Sequence, residues 1–229
     1  METRFFFAVR VIEGFGVFHA IQDAITRLSW WKKQPRPFVF IIGFNKTATR
    51  SLHHLFAENG YSCVHWDDGK LVLRMLHNLV SGKKILTGYD TKFQVYSDLT
   101  FVNHSIDIQA NTFFRIMDRD YPGSYFIYNT RGMEDWIKSR AGHAKHRDQN
   151  SYLSRSMSLN NTSDPEVVFA NWREQRHRFE TDIRSYFANA DNFVELDVKQ
   201  DDVCRTLSDL LHVELDAKHW THIGKGRAV

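Results

Sequence analysis

A turn with basic and hydroxyl side chains follows an apolar run early in the sequence. The segment from Gly43 to Ser51 reads GFNKTATRS, and a helical pattern begins near its end. The first backbone N–H groups of a helix have no partner inside the helix, and with the helix dipole they favour an anion. The side chains that add positive charge or hydroxyl donors are Lys46, Thr49, Arg50 and Ser51. The segment therefore predicts a site for a phosphate or a similar anion.

The spacing of this segment differs from that of a Walker-type nucleotide kinase. That pattern is G-x-x-x-x-G-K-[ST], with the lysine directly before the hydroxyl residue that holds magnesium. Here Lys46 comes three residues after Gly43, and no second glycine precedes it. The spacing argues against a Walker site. An ordinary strand-to-helix turn with a capping threonine and a surface lysine is the structural alternative.

A second basic group follows another apolar run, and a serine comes eight positions after it. Arg131 ends the run, and Ser139 lies about two turns along a helix that begins near Gly132. Arginine offers a planar fork of donors that suits a phosphate, and serine adds a hydroxyl. The pair predicts a second phosphate subsite. The alternative is an arginine that pairs with Glu134 or Asp135 and a serine that faces solvent.

Together the two segments resemble the sulfotransferases that use 3′-phosphoadenosine 5′-phosphosulfate as donor. Their first phosphate loop is roughly G-x-x-[KR]-[ST]-G-T-[ST]-x-L. In that family an arginine at the end of another strand is followed eight positions later by a serine, and these two residues bind the second phosphate together. The residues in register with the loop pattern are Gly43, Lys46, Thr47, Thr49 and Leu52. The resemblance covers about residues 38–227.

The resemblance implies a role for each matching residue. Lys46 would neutralise the oxygen that bridges sulfur and phosphorus, and the backbone amides of residues 47–51 would hold the 5′-phosphate. Arg131 and Ser139, with Lys225 or Arg227 of a GKGR segment, would hold the 3′-phosphate. The implied donor-binding set is Lys46, Thr47, Ala48, Thr49, Arg50, Ser51, Arg131, Ser139, Lys225, Gly226 and Arg227. No metal is required.

Departures from the family pattern leave open a divergent member of low activity. Ala48 replaces the usual glycine, and a Cβ at a positive φ costs on the order of 1 kcal/mol. Arg50 stands where threonine or serine is usual. Gly132 and Met133 replace the common Asp/Asn-Pro after the arginine.

Three residues are candidates for the general base that takes the proton of the acceptor. Asp98 is preferred because it resembles the acid of a [TS]-D-x-P-like stretch in related sequences. Asp90 comes next, since it follows a strand predicted over Lys84–Tyr89. His65 stands at the end of the predicted second strand. The alternative for each aspartate is a cap or turn residue.

The implied reaction moves a sulfuryl group to a hydroxyl of a small molecule or glycan, and positioning and charge stabilisation would dominate catalysis. Two other functions stay open: a P-loop ATP-dependent kinase, and an inactive nucleotide-binding or scaffold protein with the same fold. A basic stretch over residues 138–147 could grip an anionic acceptor. The histidine pairs at 143/146 and 219/222 lack further ligands for a metal site.

The order of predicted elements indicates an α/β fold, a three-layer sandwich around a mostly parallel sheet of about five strands. The predicted strands are Phe38–Ile42, Tyr61–His65, Lys84–Tyr89, Ser124–Tyr128 and Phe193–Leu196. The predicted helices are Thr49–Asn59, Leu71–Val80, Ile108–Asp120, one from Gly132, Asp164–Ala188 and Asp201–Leu211. Residues 140–161 have no pattern and are predicted to be a loop or lid.

Length and composition limit the remaining possibilities. The 229 residues, 42% hydrophobic and with a net charge of +3, fit one domain over residues 35–229, with a lid or acceptor region at about 140–190, and do not suit a nucleic-acid-coating protein. Residues 1–34 are predicted to be an amphipathic helical segment too interrupted to span a membrane. Only two cysteines, Cys63 and Cys204, indicate a reducing compartment. We expect a cytoplasmic protein, with a Golgi lumen as the alternative and a homodimer as one option.

Overall fold

The computed structural model describes residues 37–221 and residue 223. The predicted N-terminal helical segment over residues 1–34 lies outside this part, as do Lys225, Gly226 and Arg227. Among the helices described, none is both long and apolar enough to cross a membrane. Cys63 and Cys204 are free thiols, and Cys204 packs in the core as a small apolar group.

A five-stranded parallel sheet forms the centre of the fold, in the order β2-β3-β1-β6-β7. Its strands are β1 (Val39–Ile41), β2 (Cys63–His65), β3 (Val95–Ser97), β6 (Tyr125–Thr130) and β7 (Phe193–Asp197). A separate antiparallel hairpin joins β4 (Thr100–Val102) to β5 (Asp107–Gln109). The α/β fold with five strands, predicted from the alternation of elements, is confirmed.

Helices cover both faces of this sheet. They are α1 (Thr49–Glu58), α2 (Lys70–Val80), α3 (Phe114–Asp120), α4 (Met133–Ala141), α5 (Tyr152–Leu159), α6 (Pro165–Tyr186) and α7 (Val203–Leu211). Short 3₁₀ turns occur at Asp67–Gly69, Ala110–Phe113, Lys145–Asn150 and Ala217–His219. Pro165 at the first helical position and Asp164, which accepts from the Glu166 N–H, begin α6 as its sequence predicts.

The central strand β1 is apolar throughout because both of its faces are buried. Phe40 packs in the core on one face, and Val39 and Ile41 pack in the core on the other. Alternate residues of a strand point to opposite faces, so a short apolar run can serve two helical layers. The chain therefore forms three layers, and the loops after the strands meet at the carboxyl edge of the sheet.

The prediction of a third strand over Lys84–Tyr89 was wrong. This segment is a series of turns, and the third sheet strand is β3, six residues further along. Its backbone donors bind side chains: the Ile85 N–H donates to Asp120 Oδ2 at 2.8 Å and the Leu86 N–H to Tyr121 Oη at 3.2 Å. Side-chain acceptors thus replace a strand partner, and the buried apolar residues fill the core from a turn.

Two further boundaries differ from the prediction. Residues 140–161, predicted to be a loop, contain the end of α4, a 3₁₀ turn and α5. Ser151 caps α5 by accepting from the Ser154 N–H at 3.1 Å, and the helix buries Tyr152 and Ser156. Residues 108–120, predicted to be one helix, hold the end of β5, a 3₁₀ turn and α3, because the hairpin takes the first residues as a strand.

Candidate active site

A cavity of about 490 Å³ opens at the carboxyl edge of the sheet. It lies among the loops that follow β1, β3, β6 and β7, where open α/β sheets bind their ligands. Its lining residues are Asn45, Lys46, Ala48, Thr49, Arg50, Ser51, Asp98, Arg131, Ser139, His143, Val198, Lys199 and Ile223. The two phosphate motifs therefore line one cavity, although Lys46 and Arg131 lie 85 residues apart in sequence.

The turn between β1 and α1 has an unusual backbone. Lys46 has φ 71° and Ala48 has φ 66°, so both lie in the left-handed region. Ala48 sits at the N-cap of α1, and none of the side chains in the described part of the chain caps that helix end. The first amides of α1 therefore have no side-chain acceptor at the edge of the cavity. Ala48 carries the Cβ cost of about 1 kcal/mol that a glycine would avoid.

Asn129 of β6 holds this turn from beneath. Its Oδ1 accepts from the Gly43 N–H at 3.0 Å, and its Nδ2 donates to the backbone oxygen of Thr47 at 2.6 Å and to the Thr47 hydroxyl at 2.8 Å. The Asn129 side chain is fully buried. A Cβ on Gly43 would lie 2.2 Å from Asn129 oxygens, so only glycine fits there. The loop conformation is thus fixed by a neighbouring strand.

Two more hydrogen bonds, one from α4 and one from the residue after β6, hold the same turn. The Trp136 indole N–H donates to the Asn45 oxygen at 3.0 Å, and Arg131 Nη1 donates to the Lys46 oxygen at 3.4 Å. Thr47 turns inward, since its hydroxyl donates to the Phe44 oxygen at 2.6 Å. If Thr47 contacts the sulfate donor, as the resemblance implies, it therefore does so through its backbone.

The far side of the cavity carries Arg131, Ser139 and Lys199. Arg131 Nε is buried and has no hydrogen-bond partner among the described residues. Its Nη2 lies 4.0 Å from Asp135 Oδ2, and Lys199 forms an ion pair with the same carboxylate. Lys199 lowers the pKa of Asp135 through this hydrogen bond. Two cations therefore share one exposed carboxylate at the edge of the cavity.

Arg176 of α6 fixes the end of β6 from the other side. Its guanidinium donates to the Thr130 hydroxyl and, at 2.9 Å, to the Arg131 oxygen, while its Nε pairs with Glu180 at 2.7 Å. Arg176 is only 5% exposed. Glu180, one turn further along α6, provides a partner for this buried charge.

Asp98 and His65 meet beside Lys46. Asp98 follows β3 directly, with φ 54°, and its Oδ2 lies 3.5 Å from His65 Nε2. His65 Nδ1 lies 2.9 Å from the Ser97 hydroxyl. Asp98 lines the cavity, whereas His65 does not line it but contacts Asp98.

Burial dominates the acid–base properties of these groups. It raises the pKa of Asp98 to about 6, against the opposing effects of Lys46 and Arg140. It lowers the pKa of His65 to about 4, with further lowering from His53 and Arg50. The pKa of Lys46 is lowered by burial too. At neutral pH the site therefore holds an ionised Asp98 beside a neutral His65.

Asp90 lies away from this group. Its carboxylate accepts from the Tyr121 hydroxyl at 3.0 Å and from the Gly88 N–H at 3.2 Å, and it does not line the cavity. Asp90 stabilises a turn, since residues 84–89 form turns and not the strand predicted there. Ile223 does line the cavity, and its N–H donates to the Ser51 hydroxyl at 3.0 Å.

Sequence reasoning missed four residues of this site, namely Asn129, Trp136, Arg176 and Lys199. Two of them left a signal. Asn129 is a polar residue inside an apolar strand, and Lys199 follows the carboxyl end of β7, at the edge where ligands bind. The other two contribute through α4 and α6, whose position relative to the turn is a tertiary property.

The basic stretch over residues 138–147 does not form one continuous exposed surface. Arg140 is fully buried, while Lys138, Lys145 and His146 are exposed. Within the described part of the chain, no group of three or more His, Cys, Asp or Glu side chains could hold a metal ion.

Comparison with known families adds one match. A family model described as a sulfotransferase domain matches residues 38–203, which include the β1 loop, Asp98, Arg131, Ser139 and Lys199. A search of curated proteins found no match.

Proposed function

Because the chain belongs to the sulfotransferase family, we propose that it transfers a sulfuryl group from 3′-phosphoadenosine 5′-phosphosulfate to a hydroxyl of a small molecule or glycan. The observation that carries this donor assignment is the convergence of Lys46 with Arg131 and Ser139 in one cavity. A nucleotide with phosphates at both its 5′ and 3′ positions needs two separate anion subsites. The β1 loop and the end of β6 supply one each.

The charges around the cavity suit such a donor. Its lining includes four cationic side chains and one carboxylate, and its volume lies in the range typical of small-molecule sites. The cationic side chains are Lys46, Arg50, Arg131 and Lys199. Arg131 Nε, buried without a partner among the described residues, is available to a phosphate oxygen. The uncapped start of α1 offers backbone donors to another.

In the proposed reaction the acceptor oxygen attacks sulfur, the bond from sulfur to the bridging oxygen breaks, and that electron pair stays on the 5′-phosphate. Lys46 stabilises the charge that develops there, and the start of α1 holds the phosphate. Arg131, Ser139 and Lys199 bind the 3′-phosphate and so select this donor. The protein supplies position and charge, as in phosphoryl transfer.

Asp98 is the residue we assign to the proton of the acceptor hydroxyl. It lines the cavity, and its pKa of about 6 makes it a stronger base than His65, whose pKa is about 4. Burial keeps that pKa near the working pH, where a general base is most effective. His65 then orients the carboxylate from 3.5 Å.

Donor binding tests this proposal against the kinase alternative. We expect 3′-phosphoadenosine 5′-phosphate to raise the melting temperature and ATP with magnesium to leave it unchanged, because only the former carries a 3′-phosphate. The reverse pattern would support the kinase.

Turnover tests it against the scaffold alternative. Lys46→Ala should lower donor turnover by about 10²–10³-fold with the fold intact. Lys92→Ala, an exposed lysine in the turn before β3, is the control and should behave like the parent. Absence of turnover in the parent across a broad panel of hydroxyl acceptors, with retained donor binding, would favour the scaffold.

The acceptor panel should include anionic compounds. Lys138, Lys145 and His146 are exposed near the cavity residue Ser139 in sequence, and they could attract carboxylated or sulfated acceptors. A rate for a sulfated oligosaccharide that falls with salt, compared with its neutral counterpart, would identify this preference.

A further inference from the structure

A fully buried arginine lies in a box of aromatic rings next to the cavity. Arg140 follows the cavity residue Ser139 on α4 and has 0% exposure. Its guanidinium carbon lies 5.6 Å from the ring centre of Phe44, 5.0 Å from Trp136, 4.8 Å from Tyr152 and 4.9 Å from Trp172. Cation–π contacts with four rings hold the charge in place.

The arginine is poorly satisfied for a buried charge. Its Nη2 donates to the Tyr152 hydroxyl at 2.5 Å, and that partner is uncharged. Its Nε and Nη1 are buried without a hydrogen-bond partner among the described residues. A buried charge without an ionic partner is costly, and an apolar side chain of similar volume would suit an aromatic box at least as well. Stability alone therefore does not account for the arginine.

A chain of hydrogen bonds leads from Arg140 to Thr100, two residues after Asp98. The Tyr152 hydroxyl also accepts from Gln109 Nε2 at 3.2 Å, and Gln109 Oε1 accepts from the Thr100 hydroxyl at 3.3 Å. The Thr100 hydroxyl has one proton, which it donates either to Gln109 or to the Asp98 carboxylate, and in the second case it lowers the pKa of Asp98. These side chains run from α4 through α5 to the β4–β5 hairpin, next to the residue that follows β3. They connect a buried charge with the proposed base.

We propose that Arg140 is a positioning residue for Asp98: its buried charge and the chain through Tyr152, Gln109 and Thr100 keep the Asp98 carboxylate ionised and oriented toward the acceptor. This inference rests on the proposed function, in which Asp98 is the base. It gives the aromatic box a role in the reaction, although none of the box residues needs to touch the substrate.

Other charged groups act on Asp98 from each side. Lys46 approaches from the β1 loop and His65 from β2, and Asp107 of β5 lies near enough to Arg140 for their charges to interact. Burial raises the pKa of Asp98, while Lys46, Arg140 and the Thr100 hydrogen bond lower it. Removing the Arg140 charge leaves burial opposed by fewer groups, so the carboxylate should hold its proton to higher pH.

A titration of the Asp98 carboxyl by carbon NMR tests the inference without turnover. The resonance is assigned by its loss in Asp98→Asn. We expect a midpoint near 6 in the parent, in line with the raised pKa, and a midpoint higher by about half a unit or more in Arg140→Met. Arg140→Lys keeps the positive charge, so its midpoint should lie close to that of the parent. An unchanged midpoint in Arg140→Met would overturn the inference.

The control is a second arginine that contacts the same ring. Arg155 of α5 lies 5.9 Å from the Tyr152 ring centre and donates to the Val102 oxygen at 2.9 Å. Arg155→Met should leave the Asp98 midpoint at the parent value, and an equal shift there would assign the effect to packing. Tyr152→Phe removes one hydroxyl and keeps the ring, so it tests the chain even if Arg140→Met does not fold.

Two further measurements separate this inference from the proposed function. If Arg140 positions Asp98, Arg140→Met should match or exceed the parent in melting temperature while the acid limb of its rate profile moves to higher pH. A lower melting temperature with an unmoved acid limb would indicate a structural role only. A moved NMR midpoint in a protein that does not turn over the sulfate donor would keep the coupling between Arg140 and Asp98 and reject the proposed function.

Discussion

The two sides of the cavity hold their charges in different ways. On the loop side, the turn that carries Lys46 is fixed by fully buried groups, Asn129 and Trp136, which bind its backbone. On the far side, Lys199 is about half exposed and pairs with Asp135, which is also about half exposed. One side is set by the core of the fold, and the other depends on surface ion pairs.

This difference follows the chemistry that each side would perform. Charge that develops during sulfuryl transfer is stabilised best by donors already in position, because they need no reorganisation. A 3′-phosphate takes no part in bond breaking, so adjustable surface cations suffice to bind it. We therefore expect changes on the loop side to lower turnover and changes on the far side to alter donor affinity.

Replacing Asp98, whose charge interacts with that of Lys46, with asparagine should have the largest effect. Both residues tolerate a left-handed backbone, so the φ of 54° is retained and only the charge is lost. We expect turnover at pH 7.5 to fall about 10²–10⁴-fold. Because Asp98 must be ionised to accept a proton and its pKa is about 6, parent activity should fall as the pH drops through that value. Rate profiles against pH measure both effects.

His65→Gln is the comparison for that experiment. A glutamine can still hydrogen-bond to Asp98 but cannot take a proton, so we expect a smaller loss than in Asp98→Asn. A variant of Asp98 with parental turnover beside an inactive variant of His65 would reverse the two assignments.

Removing the support beneath the loop should have the next largest effect. Asn129→Ala deletes three hydrogen bonds and leaves the Gly43 N–H without its acceptor. We expect the free energy of unfolding to fall by about 2–4 kcal/mol and turnover of the folded enzyme by roughly tenfold or more. Urea unfolding and rates at a temperature where both proteins are folded separate the two losses.

Asn78→Ala is the matched control. Asn78 is equally buried, and its Nδ2 donates to Ile85 and Thr87 oxygens at 3.0 and 2.9 Å, away from the cavity lining. It should lose similar stability and keep its turnover once folded. Equal losses of turnover in both variants would mean that the loop has no special need of its support.

The loop side was also the easier side to predict from sequence. An apolar run, a glycine and a helical pattern occur in one continuous stretch, so local rules place β1, the turn and α1. Ala48, which stands where the family pattern has glycine, does have a positive φ. The buried Asn129 could not be placed beneath the turn because its partner lies 86 residues earlier in the chain.

The region around the proposed base, Asp98, shows where sequence reasoning fails. Lys84–Tyr89 has the composition of a short strand, yet Asp120 and Tyr121 take its backbone donors and keep it a turn. The true strand β3 has only three residues, too few for a periodic pattern. Arg140 was assigned to a basic stretch because the aromatic rings that bury it come from distant segments. Each error reflects a tertiary partner that local pattern does not reveal.

On the far side, Lys199→Ala should weaken donor binding and leave the chemical step intact. We expect Kd for 3′-phosphoadenosine 5′-phosphate to rise about three- to tenfold, with kcat nearly unchanged, since this lysine would contact only the 3′-phosphate. Calorimetry and donor-dependent rates provide the two values. The control is Lys218→Ala, which breaks an ion pair of the same kind with Asp216, at 2.6 Å and away from the cavity lining.

A fall in kcat that exceeds the rise in Kd would contradict the division between the two sides. It would mean that Lys199 acts in the transition state, as we propose for Lys46.

Asp135→Asn should produce the smallest effect and in the opposite direction. The carboxylate now attracts both Lys199 and Arg131, and an incoming 3′-phosphate must compete with it for them. Removing its charge should tighten donor binding about two- to fivefold at low salt, and the gain should shrink as salt screens the surface pair.

The same substitution removes an acidic residue from the first turn of α4, where a negative charge stabilises the helix. We therefore expect a slightly lower melting temperature together with tighter binding, a combination that a purely structural role for Asp135 does not produce. Weaker binding in this variant would mean that Asp135 holds the two cations in place for the phosphate, and the far side would then be as preorganised as the loop side.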